Sequence, residues 1–227
     1  MNKPPAKRSS PQEIQQFLER GKAISAFVEK QPRLLFAIDA TASRQPTWSI
    51  ASQLQQNMFL ATRKLTSLSI QLCYYRGFHE FFASQFCTDS NELAREMAGV
   101  YCEGGHTQIA RVLRHALKEH KAMPLRAVVF IGDAMEENPD SLCDLAGQCG
   151  LLKLPIFMFQ EGADNAAGNT FRSMARLSRG AFAHFDHSSA ETLAQLLGAV
   201  ASYAAGGRKA LEKDNNEVAR LLLKQLP

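Results

Sequence analysis

The side chains best suited to chemistry in this chain are oxygen donors. Asp39, Thr41 and Ser43 stand at alternate positions in R-L-L-F-A-I-D-A-T-A-S, directly after an apolar run from Leu34 to Ile38. Thr107 lies in C-E-G-G-H-T-Q, and Asp133 closes A-V-V-F-I-G-D. Carboxylate and hydroxyl oxygens are hard donors that suit Mg²⁺ or Mn²⁺. An octahedral cation could take two or three of these oxygens directly and hold the others through water, leaving a partner to supply the remaining ligand. The plainer reading of the first loop is a turn followed by a helix cap.

For these residues to meet, the elements before them must be parallel strands. A short apolar run bounded by polar residues reads as a strand buried on both faces. Such runs occur within 33–38, 127–131 and 154–159; 68–75 and 181–185 also read as strands, and the aromatic-rich stretch 78–86 after Gly77 reads as an antiparallel partner. Helical patterns lie between them, so the expected fold is α/β: a doubly wound, mostly parallel sheet with one antiparallel edge strand. The carboxyl ends of neighbouring strands share one edge, which brings the three polar loops together.

Around this core the sequence predicts a disordered N-terminus over 1–9 and an N-terminal helix over 10–31. Ser10-Pro11-Gln12-Glu13 forms a capping box, and Ile14, Phe17, Leu18, Ile24 and Phe27 offer apolar contacts. The domain itself spans 33–204. Within it a long helix is expected from Pro46 to about Leu65, with Trp48 as a packing anchor near the loop. Thr88-Asp89-Ser90 opens a helix, Gln108 another, Pro139 a third, and 171–177 is a fourth. An amphipathic C-terminal helix over 208–226, carrying Leu211, Val218, Leu221, Leu222 and Leu226, follows a Gly206-Gly207 hinge.

Composition narrows the function classes. With 45% hydrophobic and 21% charged residues, the 227-residue chain is globular and of single-domain size. A net charge of +4 with interspersed acids gives no nucleic-acid footprint. No run of about 18 apolar residues marks a membrane span, and no apolar signal core follows the N-terminus. The five cysteines are odd in number and lack zinc spacing, which fits free, mostly buried thiols in a reducing compartment. Cys143 and Cys149 are expected as buried apolar groups. The expected location is cytoplasmic.

The three loops also resemble the metal-ion-dependent adhesion site of the von Willebrand factor A (VWA) family. That site has a D-x-S-x-S loop after the first strand, a threonine on a glycine-containing loop, and an aspartate after the central strand. Asp39, Thr41 and Ser43 match the first, Thr107 the second and Asp133 the third, over roughly 33–204. Thr41 stands where the family has serine, and Ala134 follows Asp133 where glycine is frequent. The resemblance implies a Rossmann-like VWA fold of the bacterial cytoplasmic type and a Mg²⁺ (or Mn²⁺) site. It further implies a protein partner whose Asp or Glu completes the metal's coordination. ATPase or chaperone components are such partners at family level. No catalysis is implied.

Two other readings compete. A strand ending in D-x-T-x-S with a later G-D also looks like haloacid-dehalogenase-like phosphotransferases, where Asp39 would be the nucleophile and Asp133 with Glu136 or Glu137 would hold Mg²⁺. The second aspartate of that pattern is Thr41 here, and the Thr107 loop has no role in it. The third reading is a scaffold with an inactive site. His106, Glu136 and Glu137 are expected on a partner-binding rim, although an acidic pair near a helix N-terminus also has a purely local use. His184-x-Asp186-His187 reads as a surface turn.

Overall fold

A computed structural model describes residues 10–46, 48, 68–186, 190–214 and 216–227. The expected N-terminal disorder over 1–9, most of the expected helix from Pro46 to Leu65, and His187 lie outside the described residues.

Six strands form one sheet in the order β3-β2-β1-β4-β5-β6. They are β1 (Arg33–Asp39), β2 (Ser69–Arg76), β3 (Glu80–Ala83), β4 (Ala127–Gly132), β5 (Ile156–Glu161) and β6 (Ala181–Phe185). All neighbours are parallel except β2 and β3, which pair antiparallel. The apolar runs become the central strands because both faces are covered. Leu34, Phe36 and Ile38 enter one core layer with helical residues such as Leu93, Leu196 and Val200. Leu35 and Ala37 enter the other, with Val112, Leu113, Phe171 and Met174. β3 is shorter than the expected 78–86 strand, since Gly77 and Phe78 belong to the turn.

The helices are α1 (Pro11–Lys30), α2 (Ser90–Ala98), α3 (Ile109–Ala122), α4 (Pro139–Leu151), α5 (Asn165–Leu177), α6 (Ala190–Leu211) and α7 (Glu217–Leu223). The capping box of α1 is present: the Ser10 amide donates to Glu13 (2.6 Å) and the Glu13 amide to the Ser10 hydroxyl (3.2 Å). Ile14, Phe17 and Leu18, however, do not pack. They are about half to three-quarters exposed, because local capping forms the helix without supplying a surface for its apolar stripe. α5 begins at Asn165, six residues before the expected start, because Asp164 caps it by accepting from the Ala167 amide (2.8 Å).

α4 and α5 end in the same way. The Leu154 amide bonds to the Cys149 carbonyl and the Gly180 amide to the Ala175 carbonyl, each closing a six-to-one turn. The residue inside each turn is basic and left-handed: Lys153 (φ 60°) and Arg179 (φ 62°). The positive side chains suit a helix C-terminus.

At the C-terminal end, α6 bends at Gly207 (φ 68°), where the sequence places a hinge. The expected single helix over 208–226 is divided. α6 runs on to Leu211, and α7 restarts where Asn216 accepts from the Ala219 amide (2.7 Å). Asp and Asn residues before it favour caps over helix interiors. Leu211, Ala219, Leu222 and Leu226 all enter the first core layer.

Candidate functional site

Asp39 is the last residue of β1 and is fully buried. Its position follows from register: Asp39 lies opposite Tyr75, the penultimate residue of β2. Both carboxylate oxygens have donors, the Thr41 amide on Oδ1 (2.8 Å) and the Tyr75 hydroxyl on Oδ2 (2.9 Å). Burial pushes the Asp39 carboxyl up to about 6; Thr41 and the Arg44 charge oppose this, and Asp133 adds to it. Tyr75 is held well above the usual phenol value by its own burial and then by the Asp39 charge.

Thr41 is buried and Ser43 exposed, and their hydroxyls are 3.1 Å apart within hydrogen-bond reach. The short 3₁₀ turn Ala42–Arg44 then directs Arg44 inward. Its guanidinium is buried, bonds to Glu161 through Nε (2.9 Å) and Nη2 (2.8 Å), and donates through Nη1 to the Asp39 carbonyl (2.7 Å). Glu161 ends β5, so this ion pair ties the Asp39 loop across the sheet edge. Trp48 is buried and donates to the Val100 carbonyl (2.9 Å), which makes it the packing anchor expected.

The second loop is drawn in by glycines. A Cβ on Gly105 would meet the Gly77 carbonyl at 1.9 Å, so these two turns touch backbone to backbone. The Glu103 amide donates to the Ala40 carbonyl (3.0 Å), and Thr41 bridges Glu103 in strand fashion. Thr107, four residues on, is buried. Its hydroxyl accepts from the Glu136 amide (3.0 Å), while its amide donates to the Glu136 carboxylate (3.0 Å).

The third loop follows β4. A Cβ on Gly132 would lie 3.4 Å from the Asp39 Cβ, which sets Asp133 beside the first loop. Asp133 is half-buried, and its Oδ1 is buried with no hydrogen-bond partner. Among the described residues, no direct hydrogen bond links Thr107 or Asp133 to Asp39, Thr41 or Ser43.

The acidic pair has a structural task. Glu137 accepts from the Ile109 (2.5 Å) and Ala110 (2.9 Å) amides and so caps α3, whose own cap residue Gln108 makes no side-chain bond there. The helix terminus it serves is therefore that of α3, not that of the following helix. Burial raises the Glu137 carboxyl, and the two amides oppose the rise. Glu136 is exposed and lies 3.3 Å from the exposed His106 ring. His184, expected in a surface turn, is instead an exposed residue of β6 and contacts the Gly162 carbonyl.

The donor set suits a hard cation. It offers two carboxylates near one another and three hydroxyls on one edge, and one carboxylate oxygen is buried without a partner. No three His, Cys, Asp or Glu side chains gather as a metal cluster among the described residues. Sequence reasoning missed Tyr75, Arg44 and Glu161. Arg44, directly after the loop, was the one visible signal.

Comparison with solved structures bears on the fold that carries these residues. The SpRpn10 VWA domain superposes with a TM-score of 0.59 at 12% identity, covering 72% of this chain and 95% of that one. The fold is that of a VWA domain. An aerotolerance-related membrane protein from Bacteroides fragilis matches with a TM-score of 0.56 at 13% identity, over 74% of this chain and 98% of that one. The PilB minor pilin from Streptococcus sanguinis matches at 0.59 and 10%, over 78% and 61%. No protein-family model matches the chain, and no curated protein matches it either. Among the described residues of this VWA fold, no helix is long and apolar enough to cross a membrane.

Proposed function

We propose that this VWA-like domain is a divalent-metal-dependent protein-binding module. Asp39, Thr41, Ser43, Thr107 and Asp133 hold Mg²⁺ or Mn²⁺ at the carboxyl edge of the sheet, and an Asp or Glu of a protein partner completes the coordination. The supporting observation is the Asp39–Asp133 pair: one carboxylate buried and fixed from two sides, the other with a buried oxygen lacking any donor. The Asp133 charge adds to the rise of the Asp39 carboxyl, and a cation between two carboxylates removes such repulsion. The Arg44 charge offsets part of this at Asp39, but the guanidinium hydrogen-bonds to Glu161 and to the Asp39 carbonyl.

When bound, the metal supplies an electrophilic centre for an incoming carboxylate. The chain's own part is positional. Tyr75 and the Thr41 amide fix the Asp39 carboxylate, and the Glu136 and Glu137 contacts hold the Thr107 loop against β4. His106, Glu136 and Glu137 form the rim that the partner meets. A cytoplasmic ATPase or chaperone component remains the proposed kind of partner. The phosphotransfer reading is disfavoured, since Thr41 stands where that chemistry needs a general acid and both Asp39 oxygens already accept hydrogen bonds.

The test is thermal unfolding with and without millimolar Mg²⁺ or Mn²⁺, for the parent and Asp39→Ala. An ion at about 100 times its dissociation constant stabilises by about 2.7 kcal/mol, which raises the midpoint of a domain this size by about 5 to 10 °C. A rise in the parent alone supports the site. An equal rise in Asp39→Ala overturns it, and phosphatase activity would favour the enzyme reading.

A further inference from the structure

A second concave site lies away from the Asp39 edge. It is a cavity of about 690 Å³ on the outer side of β6, lined by Arg172, Arg176, Arg179, Phe182, Leu221 and Gln225 among others. β4 and β5 stand between β6 and β1, so at about 4.8 Å per strand the two sites are roughly 14 Å or more apart.

The charged side chains that line this cavity are all of one sign. Three guanidiniums line it, and no Asp or Glu does. Arg172 lies over the Phe182 ring (4.6 Å) and reaches the Asn169 side-chain carbonyl (3.3 Å). Among the described residues, neither Arg176 nor Arg179 has a hydrogen-bond or ion-pair partner for its guanidinium. Three arginines held on one short stretch, two of them uncompensated, repel one another and attract an anionic ligand. Arg179 reaches the cavity from the left-handed turn position after α5, where glycine is the usual residue. The floor is apolar: Phe182 is buried beneath, while Leu221 is 46% exposed within the cavity.

Spacing favours a linear occupant. Arg172 and Arg176 stand four residues apart on one face of α5, about 6 Å along its axis, and Arg179 follows in the turn that ends the helix. Alternate residues of an extended chain are about 6.7 Å apart and point to the same side. One side of an extended acidic segment therefore matches the arginine row while apolar residues meet Phe182 and Leu221. Main-chain pairing with β6 is not needed. At Phe182 the outward amide and carbonyl of that strand are both taken by the Gln225 carboxamide (2.9 Å each). A nucleic-acid strand matches less well, because it has no use for an exposed leucine and the chain's net charge is only +4.

We infer that this cavity binds an extended acidic segment of a protein partner, with acidic residues on Arg172, Arg176 and Arg179 and an apolar side chain against Leu221 and Phe182. This surface is independent of the proposed metal site.

The experiment is fluorescence anisotropy with a labelled E-F-E-L-E peptide and its uncharged counterpart Q-F-Q-L-Q, in the presence of EDTA. The acidic peptide is expected to bind the parent and Asp39→Ala alike, at least about tenfold tighter than the neutral one. Arg176→Gln and Arg179→Gly should each weaken it by about fivefold. Arg179→Gly places glycine at a left-handed position, so its thermal midpoint should be equal to or above the parent's, and its loss of binding cannot come from unfolding. The inference is overturned if both peptides bind equally, if neither binds at millimolar concentration, if the arginine variants bind as the parent does, or if poly(U) of equal charge binds more tightly.

Discussion

Arg44 shows how much one side chain decides at this site. Its charge is wholly buried, and its partner Glu161 nearly so. A pair removed from water holds only while both members remain. Arg44→Met is therefore expected to cost about 3–5 kcal/mol, since Glu161 is left charged without a partner. Arg44→Met with Glu161→Gln should recover part of that loss, and urea unfolding of the three proteins checks it. Tyr75→Phe removes a single donor from Asp39 Oδ2. We expect a loss of about 1–3 kcal/mol and, on the metal reading, a metal affinity lowered by about tenfold or more. Calorimetric titration with Mn²⁺ measures the second effect.

At the scale of elements, α3 is fixed at both ends by side-chain hydrogen bonds to other parts of the chain. Glu137 caps its start, so Glu137→Ala is expected to cost about 1 kcal/mol in chemical denaturation. At its other end, His120 accepts the Leu125 amide on Nδ1 (3.0 Å) and donates from Nε2 to the Leu152 carbonyl (3.2 Å). Burial holds this imidazole below its usual value. The stability it contributes is present above about 6.5 and is lost as pH falls through the lowered folded-state value. The parent should thus lose more stability than His120→Gln between pH 7 and pH 5. Comparing the two cancels His115, which shifts in the same direction, and Asp39, which shifts in the opposite one. These elements also show what a sequence can reveal. Leu34 to Ile38 and Ala127 to Ile131 were legible as buried strands, because two covered faces leave no place for polar residues. Asp39, Thr41, Ser43, Thr107 and Asp133 could be named because they follow such strands or a glycine turn. Tyr75, Glu161 and the capping role of Glu137 were not legible. Their partners are 27 to 117 residues away in sequence and meet them only through strand order. The α6–α7 break was missed because a run of leucines at helical spacing masks the Asn216 cap.

At the scale of the whole molecule, the chain keeps its polar groups at the edges of an apolar sheet. The carboxyl edge gathers the candidate metal donors, and the outer side of β6 gathers the arginines. α7 closes the far end, where Leu222 is fully buried against the first core layer. Leu222→Ala is expected to cost about 2–5 kcal/mol, and the midpoint of its urea transition is the measurement. If α7 is instead a loosely attached appendage, that substitution will leave the midpoint unmoved.

Gln225 has one further consequence. An outermost strand with free amides and carbonyls is a template for another chain, and proteins that leave one open tend to clump. At one border of this sheet the strand is only four residues long. At the other, the Gln225 carboxamide offers Phe182 the donor and acceptor that a neighbouring strand would offer, and so terminates the ladder with a side chain. Replacing Gln225 by alanine would leave the fold in place but uncover that template. The expected result is a chain that scatters more light on standing and whose losses on storage grow with concentration.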